Sequence, residues 1–212
     1  MPNWCNNNIT ISGDEGTIRT LTAVLKSIKT SDEEQSNNVF QSLIGLPQHM
    51  SEGDYKEKWY DTNIEWFGTK WDISYSEDMF TFTKDEISFF CETAWSPPIP
   101  FLQNLCEMYK VNANLFYSEG GVGFSGESTF NWVDGELEVY DDECGYLEGI
   151  YKYSREEFWS EVESRVDCIL DEELSLEDFI SEFDFVTDED KVELTRLYNE
   201  TIKENDEESE GE

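Results

Sequence analysis

The excess of acidic side chains is the feature that most constrains this chain, because 49 Asp and Glu stand against only 14 Lys and Arg. A formal net charge of −35 stores self-repulsion in any compact state. Aromatic residues make up 15% of the chain, which argues against wholesale disorder. A net charge of roughly 2–8 already keeps a small domain soluble. We therefore interpret the excess acidity as functional, the alternative being a host whose proteins are acidic in general.

The charge also indicates the class of partner. An acidic surface repels nucleic acid phosphates and anionic membranes, so we expect neither to bind directly. The expected partner is basic, or carries a nucleic-acid-binding groove of its own. The sequence has no apolar run of about 18 residues, and Met1–Cys5 lacks the basic and then apolar regions of a secretory signal. Five dispersed cysteines without a C-x-x-C pair indicate reduced thiols. These features predict a cytoplasmic protein.

Acidity is unevenly distributed, and this predicts a boundary. Residues 1–140 hold 22 acids and 8 bases, whereas residues 141–212 hold 27 acids and 6 bases. We therefore predict an α+β domain over residues 1–140 and an acidic helical subdomain over residues 141–203. The tail 204–212 is almost wholly acid, Ser and Gly, and we expect it to be disordered.

The first part of the chain alternates between strand and helix patterns. Helical spacing predicts helices over residues 17–28 and after Pro97-Pro98, but the aromatic stretch 55–71 shows no clear period. Strands are predicted at residues 4–12, 72–75, 87–93, 111–117, 122–132 and 136–140. The order β-α-β-β-α-β with extra strands predicts an α+β fold: a ferredoxin-like split βαβ sheet with extra antiparallel strands.

The second part of the chain predicts an acidic α-helical C-terminal extension. Ser154, Ser175 and Thr187 each precede apolar residues at helical spacing, as helix N-caps do. In the first of these helices the expected apolar stripe includes Trp159 and Val162.

Catalytic and cofactor motifs are missing from the sequence. The only histidine is His49, so Ser-His-Asp or Cys-His catalysis, or a zinc site, would depend on it. No phosphate-binding glycine loop opens a helix, and Gly120-Gly121 fits a hairpin turn. We expect no enzyme, no metal and no cofactor. Pairs of carboxylates are too numerous to be informative, which leaves open an unfamiliar enzyme with a carboxylate site.

The carboxylates themselves are the candidate binding site. Glu136 and Glu138 alternate with apolar residues, so on a strand they would share a face at roughly 6.6 Å spacing. Duplex DNA presents phosphates about 3.4 Å apart along each strand, and a rigid set of carboxylates could imitate them. The alternative is an ordinary solvated surface. The predicted partner-binding residues are Asp134, Glu136, Glu138, Asp141, Asp142, Glu143, Glu156, Glu157, Glu161, Glu163, Asp167 and Asp171.

A group of tryptophans raises a second possibility, a platform on which nucleic acid bases stack. Such platforms lie beside basic grooves, which this chain lacks, so we expect core packing instead. The group comprises Trp4, Trp59, Trp66, Trp71 and Trp95.

Three segments, Pro2–Asn8, Glu65–Asp72 and Thr93–Pro98, together resemble the YubB-type ferredoxin-like family of phage, prophage and plasmid proteins. The resemblance covers about residues 1–135, and it departs at Trp66-Phe67, where the family pattern has Asn-Trp. It implies a ferredoxin-like fold and a mobile-element origin, and it supplies no catalytic residue. The family name concerns the fold only, since the cysteines do not fit an iron–sulfur site.

Mobile-element origin and extreme acidity together predict an inhibitor of a host nucleic-acid-processing or anti-phage defence protein, which acts by imitating phosphates. Its location would be the cytoplasm of the host bacterial cell. A non-catalytic protein–protein adaptor, with acidity serving solubility, is the alternative, and its binding would be insensitive to salt. For the carboxylate enzyme, a pocket with converging buried acids would be expected.

Overall fold

The computed structural model describes residues 3–28, 38–170 and 175–209, with side chains described except at residues 165, 167–170 and 204–209. The chain divides into two compact units, Met1–Cys144 and Gly145–Glu212. We expected the boundary after residue 140. The division lies a little later because the last strand of the first unit continues to Gly145.

Within the described residues, the first unit contains a six-stranded antiparallel sheet in the order β2-β3-β1-β4-β5-β6. The strands are β1 (Trp4–Ser12), β2 (Phe80–Phe82), β3 (Glu86–Ala94), β4 (Asn112–Glu119), β5 (Phe124–Val133) and β6 (Glu136–Gly145). Its first four strands have the order of a ferredoxin-like unit, and β5 and β6 extend the sheet beyond β4. The predicted α+β class and ferredoxin-like sheet with extra strands are confirmed.

The helices of the first unit are α1 (Glu15–Ser27), α2 (Val39–Ile44), α3 (Glu52–Phe67) and α4 (Ile99–Tyr109). Each begins where local chemistry favours it. Asp14 caps α1 by accepting from the backbone N–H groups of Gly16 and Thr17, and Ser51 forms a capping box with Asp54 at α3. On β1, buried and less buried residues alternate, so Ile9 and Ile11 point into the core that α1 and α4 also enter.

Two local predictions in this unit are wrong. Residues 72–75 do not form a strand: Ser74 makes only an isolated bridge to Asn38, because Asp72 turns to cap α2. The strand that does form is β2, whose three residues, Phe80–Phe82, are too few to show a period. The unassigned aromatic stretch is largely the helix α3.

The hairpin between β5 and β6 turns at Asp134 and Gly135. Their φ angles are 52° and 88°, so both residues have left-handed backbone. Two such residues make the type I′ turn that matches the twist of paired strands, and Asp-Gly is a preferred pair there. Strand β6 is longer than predicted and includes residues 141–143.

The second unit is helical in its described part. Its helices are α5 (Tyr146–Tyr153), α6 (Arg155–Leu170), α7 (Leu176–Ser181) and α8 (Asp188–Ser209). The three predicted N-caps are confirmed, since Ser154, Ser175 and Thr187 each accept from the backbone N–H three residues later, at 3.3, 3.1 and 3.3 Å. The predicted C-terminal helices are therefore present, and α5 is an additional one.

Aromatic side chains dominate the interior of the second unit. Phe158, Val162 and Val166 on α6 are buried, as are Phe179 and Phe183. Phe158 takes the core position that we had assigned to Trp159, which is only half-buried.

Helix α8 continues further than the sequence indicated. Residues 204–209, which we expected to be disordered, are helical, whereas residues 210–212 lie outside the described residues. No Gly or Pro interrupts α8 before Gly211, and the acidic residues are compatible with a helix. None of the helices in the described part of the chain is long and apolar enough to cross a membrane.

Candidate functional site

The predicted carboxylates of β6 are all exposed and lie on the edge strand of the sheet. Because successive side chains of a strand point to opposite faces, they do not form one surface. Glu136, Glu138 and Asp142 share one face, and Asp141 and Glu143 share the other. Charged residues on an edge strand also block pairing with other chains, which is a purely structural benefit.

Two of these acids have local structural roles. Asp141 accepts hydrogen bonds from Ser128 Oγ at 2.6 Å and from Tyr117 Oη at 3.1 Å. Tyr117 is fully buried, and burial followed by the charge of Asp141 raises the pKa of its hydroxyl. Asp134 belongs to the type I′ turn. These two side chains are therefore explained by the fold without any partner.

The predicted carboxylates of α6 lie in the second unit. Glu156, Glu157 and Glu163 are exposed, whereas Glu161 is half-buried and accepts a hydrogen bond from Tyr146 Oη at 3.0 Å. The side chain of Asp167 and all of Asp171 lie outside the described residues.

The tryptophans are not where we expected them. Trp4, Trp71 and Trp95 are 46%, 40% and 43% exposed, and Trp59 is 38% exposed. Trp66 is half-buried, and its indole N–H donates to the carbonyl of Gly45 at 3.0 Å. The prediction of core packing is thus wrong for four of the five, because they stand on surface loops, at a strand end or on the outer side of α3.

Three distant segments meet at Trp4, Trp71 and Trp95. The Thr69 hydroxyl accepts from the backbone N–H of Ala94 and donates to its carbonyl, both at 3.1 Å. Ser96 Oγ donates to the carbonyl of Gly68 at 2.6 Å. The backbone N–H of Trp95 donates to the carbonyl of Asn3 at 2.9 Å. Six sequence positions are therefore joined by short polar contacts that hold the three tryptophans in place.

A lysine joins this cluster. Lys70 Nζ lies over the ring of Trp71 at 4.4 Å and over the ring of Trp95 at 4.7 Å from the centroids. Both distances are within the range of cation–π attraction. The Trp4 and Trp71 rings are 6.1 Å apart. Trp95 has a φ of 71°, which is unusual for a bulky residue and marks backbone strain of the kind found at functional sites.

A pocket of about 300 Å³ adjoins the rings, and Trp4, Trp71, Asp72 and Glu92 contribute to its lining. Asp72 accepts from the backbone N–H groups of Phe40 and Gln41, both at 2.8 Å. Burial nevertheless raises the pKa of Asp72 to about 6. Glu92, on β3, is exposed.

The second unit has a shallow cleft of about 640 Å³, lined in part by Arg155, Glu163 and Asp190. Asp190 is buried and forms an ion pair with Arg155, and it accepts from Tyr151 Oη at 2.7 Å and Thr187 Oγ1 at 2.6 Å. Because each of these contacts stabilises the carboxylate locally, Asp190 has the character of a structural residue. In the described residues no three His, Cys, Asp or Glu side chains converge to hold a metal ion.

The tryptophan cluster is therefore the grouping that sequence reasoning missed. Its signal was present, since Trp4, Trp71 and Trp95 each belong to one of the three segments that carry the family resemblance. What the sequence could not show was that the three segments meet and that the rings remain exposed.

Comparison with known proteins finds a similarity over part of the chain. No curated protein matches the sequence. The solved structure of the protein Api92 from Yersinia pseudotuberculosis is similar at a TM-score of 0.37 and 9% identity, over 69% of this chain and 98% of that chain. The family model described as "Ferredoxin-like domain in Api92-like protein" matches residues 70–163, extending beyond residue 135, where the expected resemblance ended. Residues 70–163 are thus similar to the ferredoxin-like domain of Api92-like proteins.

Proposed function

We propose that this protein is an acidic inhibitor encoded by a phage or another mobile element. It binds a bacterial nucleic-acid-processing or anti-phage defence protein and occupies the basic groove of that target by imitating phosphates. It acts stoichiometrically and without catalysis. The observation that carries the proposal is the set of exposed carboxylates on β6 and α6, within a chain of net charge −35.

Within the described residues, no basic side chain pairs with the exposed carboxylates of β6 and α6. The described ion pairs engage other acids: Arg155 pairs with Asp190, Arg196 with Glu193 and Glu200, and Lys152 with Glu148. In the described part of the chain, Glu136, Glu138, Asp142, Glu156 and Glu163 form no ion pair. Their charge is available to a basic partner, which gains free energy when it releases its own bound anions and the counterions of the acids.

Regular secondary structure holds these charges at defined intervals. Glu136 and Glu138 are two residues apart on β6, which corresponds to roughly 6.6 Å. That interval is about twice the 3.4 Å axial repeat of phosphates along one DNA strand. On α6, Glu156 and Glu163 lie two turns apart on one exposed side of the helix. Each element by itself therefore spaces its carboxylates at a small multiple of the phosphate repeat, about two repeats on β6 and about three on α6.

The adaptor alternative has its own supporting observation, the exposed cluster of Trp4, Trp71 and Trp95. Tryptophan is enriched among the side chains that dominate the energy of protein interfaces. An adaptor that binds through this cluster would keep its partner at high salt, because apolar contacts are not screened.

The first experiment is a capture of partners from host lysate with the tagged protein, eluted along a salt gradient. The inhibitor proposal predicts a nucleic-acid-processing or defence protein that elutes as salt rises and that DNA or RNA displaces. A partner that remains bound at high salt and ignores nucleic acid would favour the adaptor.

The second experiment neutralises one face of β6. The triple variant Glu136→Gln, Glu138→Gln, Asp142→Asn removes three exposed charges, and target affinity should fall about tenfold or more, because each contact contributes counterion release. The matched control removes three exposed charges from α3, at Glu57, Asp61 and Glu65. Equal effects of the two triples would show that only net charge matters and would contradict a defined phosphate-like surface.

A companion variant addresses α6. Neutralising Glu156, Glu157, Glu161 and Glu163 together should weaken binding and lower the slope of affinity against salt. An unchanged salt slope in this variant would remove α6 from the proposed interface.

A further inference from the structure

We infer that the pocket beside Trp4 and Trp71 is a binding site for an arginine side chain of the partner protein. This pocket is called the Trp4–Trp71 pocket below. The inference rests on the proposed function in one respect, the assumption that the partner is basic. Acidity alone attracts any basic protein, whereas this pocket would select a partner that presents an arginine side chain at the right place.

The lining of the Trp4–Trp71 pocket combines two indoles with two carboxylates. Trp4, Trp71, Asp72 and Glu92 all contribute, and the remaining lining residues are uncharged. Lys70 is not one of the lining residues. At about 300 Å³ the pocket lies at the small end of the range for ligand sites, so it suits one side chain rather than a large ligand.

The rings in this cluster already bind a cation. Lys70 Nζ lies 4.4 Å from the centroid of Trp71 and 4.7 Å from that of Trp95. Trp4 has no such cation from the described residues, although it is 46% exposed and tilted against Trp71. The faces of indole rings attract cations through their quadrupole. A second cation over Trp4 would make the same kind of contact that Lys70 makes with Trp71 and Trp95.

The carboxylates select the charge of the occupant and favour guanidinium. Glu92 is exposed and makes no side-chain hydrogen bond or ion pair within the described residues. Asp72 is held in place by the backbone N–H groups at the start of α2. A planar guanidinium can stack on an indole and donate to a carboxylate at the same time, which an ammonium group does less well.

Other occupants fit less well. A nucleic acid base could stack on Trp4, but its phosphate would approach Glu92 and Asp72 in a chain of net charge −35. A second copy of the chain would bring the same charge and be repelled.

The Trp4–Trp71 pocket is also held in shape by the fold, because two hydrogen bonds of 3.1 Å between Thr69 and Ala94 join the loop of Trp71 to the end of β3.

The test uses the full chain and three short synthetic peptides that need no known target. Each is an acetylated and amidated glycine peptide with one central residue: arginine, lysine, or citrulline, which has nearly the shape of arginine without its charge. Nuclear magnetic resonance of the indole N–H groups follows each titration. The arginine peptide should shift the Trp4 and Trp71 signals and bind more tightly than the lysine peptide, and the citrulline peptide should not bind.

Two variants assign the effect to the pocket. Trp4→Leu removes an exposed ring, and Glu92→Gln changes an exposed carboxylate conservatively, so both should fold. Each should weaken the binding of the arginine peptide by about fivefold, the size of one exposed cation–π contact or one exposed ion pair. Trp59→Leu changes a tryptophan on α3 that is 38% exposed, against 46% for Trp4; it is the matched control and should leave binding unchanged.

The results that overturn the inference are distinct from those that overturn the proposed function. Equal binding of arginine and citrulline peptides, or unchanged binding in both pocket variants, would exclude an arginine site. Shifts of the same signals by a thymidine oligonucleotide, with no response to the arginine peptide, would identify a base-stacking site instead. The proposed function is decided separately, by the target's response to neutralised carboxylates on β6.

Discussion

Replacing Gly68 by alanine should destabilise the first unit through two separate effects. Gly68 follows α3 with a φ of 82°, in the left-handed region. An L-residue in that region costs about 1–2 kcal/mol. The new Cβ would also lie 2.4 Å from Pro100 Cδ and 3.1 Å from the carbonyl oxygen of Pro97. Since real Cβ atoms do not approach so closely, the loop would have to move, at a cost of about 1–3 kcal/mol. The expected loss is therefore about 2–5 kcal/mol.

Gly135→Ala provides a matched control. Gly135 has a similar φ of 88°, but its added Cβ would meet nothing within 4 Å. Only the conformational cost applies, so we expect a loss of about 1–2 kcal/mol. The difference between the two variants isolates the contact between Gly68 and the start of α4.

Urea unfolding followed by tryptophan fluorescence measures this difference. Six of the seven tryptophans belong to the first unit, so the signal reports mainly on that unit. Far-UV circular dichroism in parallel tests whether the transition is two-state. Equal losses in the two variants, or a larger loss for Gly135→Ala, would refute the reasoning, since it would show that the proline contact carries no cost.

Three further predictions concern titratable groups. Burial raises the pKa of Asp72 from 3.8 to about 6, so the folded state holds a proton that the unfolded state has lost between these values. The stability contributed at this group should fall by roughly 2 kcal/mol as pH rises from about 4 to 6. Asp72→Asn should remove that part of the pH dependence, as urea midpoints at several pH values will show. Asp190→Ala should destabilise the second unit by about 2–4 kcal/mol, because Arg155 and two hydroxyls lose their acceptor, as urea unfolding followed by circular dichroism will show. Glu193→Ala, at an exposed ion pair, should have a clearly smaller effect in the same assay. Among the cysteines with described side chains, half-buried Cys144 should react first with a thiol reagent at pH 8, as peptide mapping will show. The other three are buried, and burial raises the pKa of Cys5 and Cys106 to about 12 and also raises the pKa of Cys91, so that few of these thiols ionise and react at pH 8.

Local patterns predicted much of the fold. The strand β1 and the N-caps at Ser154, Ser175 and Thr187, which were predicted, all depend on neighbours within a few positions. Such features can be predicted from the sequence because the strand period and helix capping depend on the geometry of a few consecutive residues. The predicted strand at residues 72–75 was wrong because Asp72 binds the start of a helix more than thirty positions earlier in the chain.

The sequence by itself determined the charge of this protein, the positions of most of its strands and the starts of its C-terminal helices, since each depends on composition or on short-range geometry. Only the tertiary structure decided which face of β6 is turned toward the hydroxyls of Ser128 on β5 and Tyr117 on β4, which donate to Asp141. It also brought Trp4, Trp71 and Trp95 together. Hydrogen bonds between distant segments join the loops that carry these rings, and no period or local motif encodes such contacts.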